Sequence, residues 1–311
     1  MRLAMFRAVF RAELLKLRTT RAPWVVAAVA VAGMVFAQAL TLVLPRTLRA
    51  LEGLGGADAG FQVGVQAPPD VTADVMSTLA SATDLGTAAA QRGMLDLLGQ
   101  GPASGSSGVT ALCVLLLGVL AATADFRTGG IVPTALAVPD RLRILAGKAG
   151  ATAVAALAIG VALALVTALG LVVAVATTPD ATLAIGPAEA LGVWARGLAV
   201  MVLLSWLGLA VGTLVRGQVA AVVVVVALAL VEPMVQAAAL VLTGGATTAT
   251  SWLPITLGSL ASAGQGAAQL FGATTDAGAG VGVAAALAGL LAWAGVLLVA
   301  AGAVFRRRDL A

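Results

Sequence analysis

Histidine and tyrosine are absent from this sequence, and cysteine occurs once, at Cys113. Without histidine, Ser/His/Asp and Cys/His catalysis are excluded. Metal centres built on His or Cys clusters are excluded as well, and one cysteine cannot form a disulfide within the chain. A phosphate-binding loop is also missing. Gly147-Lys148 resembles its end, but no glycine lies five residues before Gly147, and Ala149 stands where Ser or Thr is required. No close acidic pair falls inside any long apolar run. The expectation is therefore a chain that is not an enzyme and binds no cofactor of its own.

Charge is scarce too, at 10% of residues, whereas 60% are hydrophobic and the mean hydropathy is +1.05. Such a composition excludes an ordinary soluble globular domain. A membrane span needs roughly 20 apolar residues. Six stretches qualify: Trp24 to Leu44, Ser106 to Ala124, Ala149 to Thr177, Trp194 to Leu214, Gln218 to Leu242, and Val281 to Phe305. The expected fold is an all-α membrane protein with six transmembrane helices, forming one transmembrane domain over residues 1–311.

The few charges are sorted between alternate connections. Arg2, Arg7, Arg11, Lys16, Arg18 and Arg21 precede the first span. Arg127, Arg141, Arg143 and Lys148 lie between the second and third, Arg216 between the fourth and fifth, and Arg306, Arg307 and Arg308 close the chain. The other connections carry only Arg46, Arg49, Arg92 and Arg196, beside most of the acids. Lys and Arg near span ends stay cytoplasmic, which predicts both termini inside. The net charge of +4 is thereby explained by topology, and nucleic-acid binding is not required.

Residues 1–23 form a cytoplasmic arm in which Leu3, Phe6, Phe10, Leu14 and Leu17 recur at helical intervals, with Arg7, Arg11 and Arg18 on another face. This pattern predicts an amphipathic helix lying in the headgroup layer and ended by Pro23. Ala37-Gln38-Ala39 has the small-residue form of a signal cleavage site, but the polar arm is too long for a secretory signal. Residues 45–105 make a long external loop whose Val71 to Leu98 portion could contain helix. Residues 243–280 form a second external segment, in which Trp252-Leu253-Pro254 suggests a stretch dipping back into the membrane interface. Gly208 and Gly212 are a weak hint of close helix packing.

Two features stand out chemically. The cytoplasmic connection 125–148 runs from Asp125-Phe126-Arg127-Thr128-Gly129-Gly130 through Pro139-Asp140-Arg141-Leu142-Arg143 to Lys148. Pro139 suits the first turn of a short helix and Asp140 its positive end. A charged loop joined directly to two spans can transmit force from a soluble partner, although topology charges alone would also account for it. The second feature is Glu232-Pro233 inside the fifth span, roughly 21 Å from its start at 1.5 Å per residue. A carboxylate there normally faces protein or water, and the proline can kink the helix. Glu232 is a candidate for a substrate path or outer gate, or else a polar lock between helices; Arg196 is its candidate partner.

With those residues in view, the chain resembles permease subunits of the type-2 exporter family of bacterial ABC transporters. Arg11-Ala12-Glu13-Leu14-Leu15-Lys16-Leu17-Arg18-Thr19-Thr20-Arg21 is similar to that family's "SELLKLRTTR" opening. Asp125-Phe126-Arg127-Thr128-Gly129 is similar to its "EYRxGT", with Asp and Phe replacing Glu and Tyr and with Gly130 where Thr is expected. Pro139-Asp140-Arg141 and Lys148 match "PxR…AK", and the order and spacing agree along essentially the whole chain.

The resemblance implies an interfacial N-terminal helix and a coupling helix between spans two and three. It also implies a half-transporter that pairs with a second copy or a related permease and with two separate ATPase subunits, which supply the ATP and Mg chemistry. Asp125, Arg127, Pro139, Asp140, Arg141, Arg143 and Lys148 are the expected ATPase-coupling residues; Glu232-Pro233 sits where such permeases often carry similar pairs, and Glu232, Pro233 and, from the residues alone, Arg196 are the expected intramembrane polar or gate residues. The implied function is export from the cell across the bacterial cytoplasmic membrane. A secondary transporter and a non-transporting membrane scaffold or sensor are the alternatives.

Overall fold

The computed structural model describes residues 2–54, 84–99, 108–129, 140–178, 181–243, 249–263 and 281–307, and among these it is entirely helical. In chain order the helices are α1 (Arg2–Thr19), α2 (Arg21–Leu54), α3 (Ala88–Leu95), α4 (Val109–Thr128), α5 (Arg141–Thr177), α6 (Pro187–Val215), α7 (Gln218–Thr243), a 3₁₀ turn (Ala249–Trp252), α8 (Pro254–Ala263) and α9 (Val283–Arg307). Six of them, α2, α4, α5, α6, α7 and α9, are long and apolar enough to cross a membrane. This is the make-up of a multi-pass membrane protein.

Burial is arranged accordingly. Leu165, Leu169, Met234, Val296 and Val299 point outward, while Thr152, Thr167, Ser205 and Glu232 point inward. Apolar side chains outside and polar ones inside are what a hydrocarbon solvent selects, because no water is present to satisfy an outward polar group.

α4 and α6 form the centre. A Cβ added to Gly118 would meet the Ser205 carbonyl oxygen at 2.0 Å, and one added to Gly208 would meet the Leu115 carbonyl oxygen at 2.0 Å. Gly212 faces Ala122 in the same way. The backbones therefore touch directly, as small residues permit in membrane helix pairs. Gly208 and Gly212, a weak hint in the sequence, are fully used, and Gly118 supplies the opposing surface.

Local chemistry sets the helix limits. Pro23 does not end the first helix, contrary to expectation. The break falls at Thr20, whose amide and hydroxyl both donate to the Lys16 carbonyl, while Trp24 Nε1 donates to the Arg18 carbonyl at 2.9 Å. Pro23 instead occupies the first turn of α2, where its missing N–H would have had no partner anyway. α5 begins earlier than the apolar run suggested. Asp140 accepts from the Leu142 amide as its N-cap and pairs with Arg143. Its 37 residues extend about 55 Å, well beyond a hydrocarbon core of about 30 Å. Residues 141–145 are thus the first turns of the third span itself rather than a separate short helix. The remainder of the expected coupling segment, 130–139 with Pro139, lies outside the described residues.

Within the expected external loop, α3 is capped by Thr87 and wedged between spans. Gln91 donates to the carbonyls of Leu85 and Thr182 and accepts from the Ala184 amide. Gln38 of α2 donates to the Met94 carbonyl, Asp96 accepts from Ser262 of α8, and Arg92 pairs with Glu189 of α6.

Candidate functional site

One end of the bundle gathers α1, the last turn of α4, the first turns of α5, the α6–α7 turn and the last turn of α9. At its centre lie Glu13, Lys16, Asp125 and Lys148. Lys148 Nζ donates to Glu13 Oε2 at 2.9 Å, to Asp125 Oδ2 at 2.5 Å and to the Ala121 carbonyl at 3.1 Å. All three ammonium protons are engaged. Lys16 Nζ donates to Glu13 Oε1 at 2.7 Å and to both Asp125 oxygens at 3.2 Å.

Two carboxylates and two ammonium groups thus make an electrically neutral cluster. Glu13, Asp125 and Lys148 are buried, while the Lys16 side chain keeps 41% of its exposure. Burial works against the Lys16 charge, but hydrogen bonds and charge from Glu13 and Asp125 outweigh it and hold its pKa above the ordinary value. Buried ions are tolerated only when paired and hydrogen-bonded, and these meet that condition.

The cluster exists because α1 lies across α5. A Cβ on Gly147 would strike Val9, and one on Gly150 would touch Phe10. These small residues let α1 come close enough for Glu13 to reach Lys148. Around the cluster, Arg141 donates to the Phe305 carbonyl at 3.0 Å, Phe126 and Phe305 meet edge to face, and the Arg216 guanidinium lies 5.8 Å from the Phe126 ring centre. Arg216 has φ 62°, the tight turn that returns the chain from α6 into α7.

The second site lies deep in the bundle. Glu232 accepts from the Ile255 amide at 3.1 Å, the Thr256 amide at 2.5 Å and Thr256 Oγ1 at 2.6 Å. Gln236, one turn further along α7, donates to the same Thr256 hydroxyl. The carboxylate therefore caps α8 in trans, at a helix start where Leu253 has no polar side chain to offer. The positive end of the α8 dipole also favours a negative charge there.

The residues singled out in the sequence separate into groups. Asp125 and Lys148 meet in the buried cluster. Asp140, Arg141 and Arg143 sit at the start of α5, and Arg127 lies in the last turn of α4. Glu232 and Pro233 are in α7, and Pro233 removes the N–H that would bond the Ala229 carbonyl. Arg196 does not join Glu232. It is half-buried on α6, beside the contact of Gly197 with Leu97, and its Nε has no hydrogen-bond partner. Three donors from α8 engage the Glu232 carboxylate in place of the expected pair.

Sequence reasoning missed Glu13 and Lys16 as site residues, and Thr256 entirely. Pro254 at the first position of α8 was the available signal for a helix start in need of a cap. Comparison with known family models gives no match, and comparison with curated proteins gives none.

Proposed function

We propose that the chain is the membrane-spanning permease subunit of an ATP-driven exporter, working with separate ATP-hydrolysing subunits and a second permease subunit. One observation carries this reading. Glu13 and Lys16, Asp125, and Lys148 come from three separate segments that each resemble the type-2 exporter pattern, and they converge in one buried cluster. The meeting of three such likenesses in one place supports that reading.

The proposal places the cluster end in the cytoplasm of a bacterial cell, consistent with its excess of Lys and Arg. Force from a soluble ATPase would enter through the connection between α4 and α5. The cluster would pass it to α1, α4 and α5 together. On this reading Asp125 and Lys148 act by joining the helices, since both are buried, whereas Arg143 and Asp140 are accessible to a partner. Glu232 acts as a lock holding α8 to α7. A secondary carrier draws on broken helices and intramembrane acids, but here three donors engage the acid.

The test is reconstitution of the chain with an ATPase subunit that co-purifies with it. The pair should hydrolyse ATP and move substrate outward, and reversing Asp140 and Arg141 together should uncouple the two or release the ATPase. Cysteine labelling should find Met1 and Ala311 inside and Gly60 outside. ATP hydrolysis by the chain alone, or external labelling of either terminus, would overturn the proposal.

A further inference from the structure

α1 has the sequence pattern of a helix that buries an apolar face in lipid, yet the described part of that face is half-buried against protein. Val9 and Phe10 pack on Gly147 and Gly150, Phe6 stacks on Phe10 with ring centres 6.4 Å apart, and Glu13 is inside the ion cluster. The face that remains outward carries Arg7, Arg11 and Arg18, all exposed. At 3.6 residues per turn these three lie within about 40° of one another, in a stripe about 16 Å long. No ion pair among the described residues involves them, whereas Lys16 on the inner face has two acidic partners.

Two further observations place this stripe against a bilayer rather than in open water. Leu15, beside it on the same helix, is 61% exposed, and Trp24, tied to the Arg18 carbonyl, is 64% exposed. An exposed Leu and Trp next to arginines suit the boundary between headgroups and acyl chains. The helix of the first candidate span starts at Arg21, and its apolar run at Trp24, so Arg18 directly precedes that span in the chain. Val9, Phe10 and Glu13 of α1 all meet α5 between Gly147 and Gly150, so this part of α1 lies against the first turns of that span.

We propose that the outward face of α1 is a binding surface for anionic phospholipid headgroups, with the Arg7, Arg11 and Arg18 guanidinium groups taking the phosphates. Guanidinium forks match phosphate oxygens in geometry as well as charge. This does not depend on the chain being a transporter subunit.

The test measures lipid retention by native mass spectrometry on the purified full chain, supplied with phosphatidylglycerol and phosphatidylethanolamine in equal amounts. The wild type should retain phosphatidylglycerol preferentially. Arg7→Gln, Arg11→Gln and Arg18→Gln should each reduce that preference about fivefold, and the triple variant should abolish it. Replacing all three by Lys should keep most of it, since the charge remains. If the triple Gln variant does not insert, the single variants, which alter the arm by one charge each, decide the matter. Absence of preference in the wild type would overturn the proposal, as would full preference in single variants that unfold at the wild-type temperature. Retained lipid preference with loss of a bound soluble protein would assign the face to that protein and overturn it equally.

Discussion

Asp125 and Glu232 are both buried carboxylates in apolar helices, yet two ammonium groups surround the first, while backbone amides and a hydroxyl surround the second. Position explains the difference. Asp125 lies near a span end, where lysines from α1 and α5 can reach inward from the polar layer. Glu232 lies well inside α7, where a further buried cation would carry a large desolvation cost, and a helix start offers positive potential without a formal charge. The first arrangement ties together segments 109 and 135 residues apart in the chain; the second joins neighbours 23 and 24 residues apart.

The sharpest way to probe this contrast is to remove Lys148. Lys148→Met should cost about 3–5 kcal/mol, because it strands two buried carboxylates with only the half-exposed Lys16. The unfolding midpoint in detergent reads the loss. Adding Glu13→Gln and Asp125→Asn should restore most of it, and failure to do so would mean that packing, not charge, dominates there.

Glu232→Ala should cost less, about 2–3 kcal/mol, by leaving two amides and the Thr256 hydroxyl without their acceptor. Hydrogen exchange at Ile255 and Thr256 should quicken in the same variant. Glu232→Gln keeps an acceptor and should cost about 1 kcal/mol. Equal costs for Ala and Gln would show that charge, rather than acceptor capacity, holds α8.

Lys16→Met should be milder still, about 1 kcal/mol or less, because the side chain is half in solvent and salt screens it. The smallest effect is a matter of pH. The Lys16 pKa is raised in the folded state, so its contribution is complete below the unfolded value near 10.5 and disappears as pH climbs through the higher folded value. Stability measured across that alkaline range should fall less steeply in Lys16→Met than in the wild type.

How much of this was legible beforehand follows the same divide. The six spans were readable because a run of about 20 apolar residues is a local property. Glu232 stood out because a charge inside such a run is costly, and Asp125 and Lys148 because they bound a charged connection between two spans. Their partners were not readable. Glu13 and Lys16 look like ordinary members of a basic arm until α1 is folded across Gly147 and Gly150. Arg196 was the natural partner for Glu232 by charge alone, whereas the actual partners are backbone amides, which no residue letter advertises. The start of α5 was placed too late for a related reason. Hydropathy marks where lipid begins, while Asp140 marks where helix begins.

The backbone contact between α4 and α6 also constrains how the bundle can deform. Gly118 against the Ser205 carbonyl and Gly208 against the Leu115 carbonyl leave no compressible side-chain layer between the two axes. Sliding or twisting one against the other would drive a rigid peptide unit into its neighbour. The two helices must therefore translate and tilt as a single lever. Any conformational cycle has to place its relative displacements at other seams of the bundle.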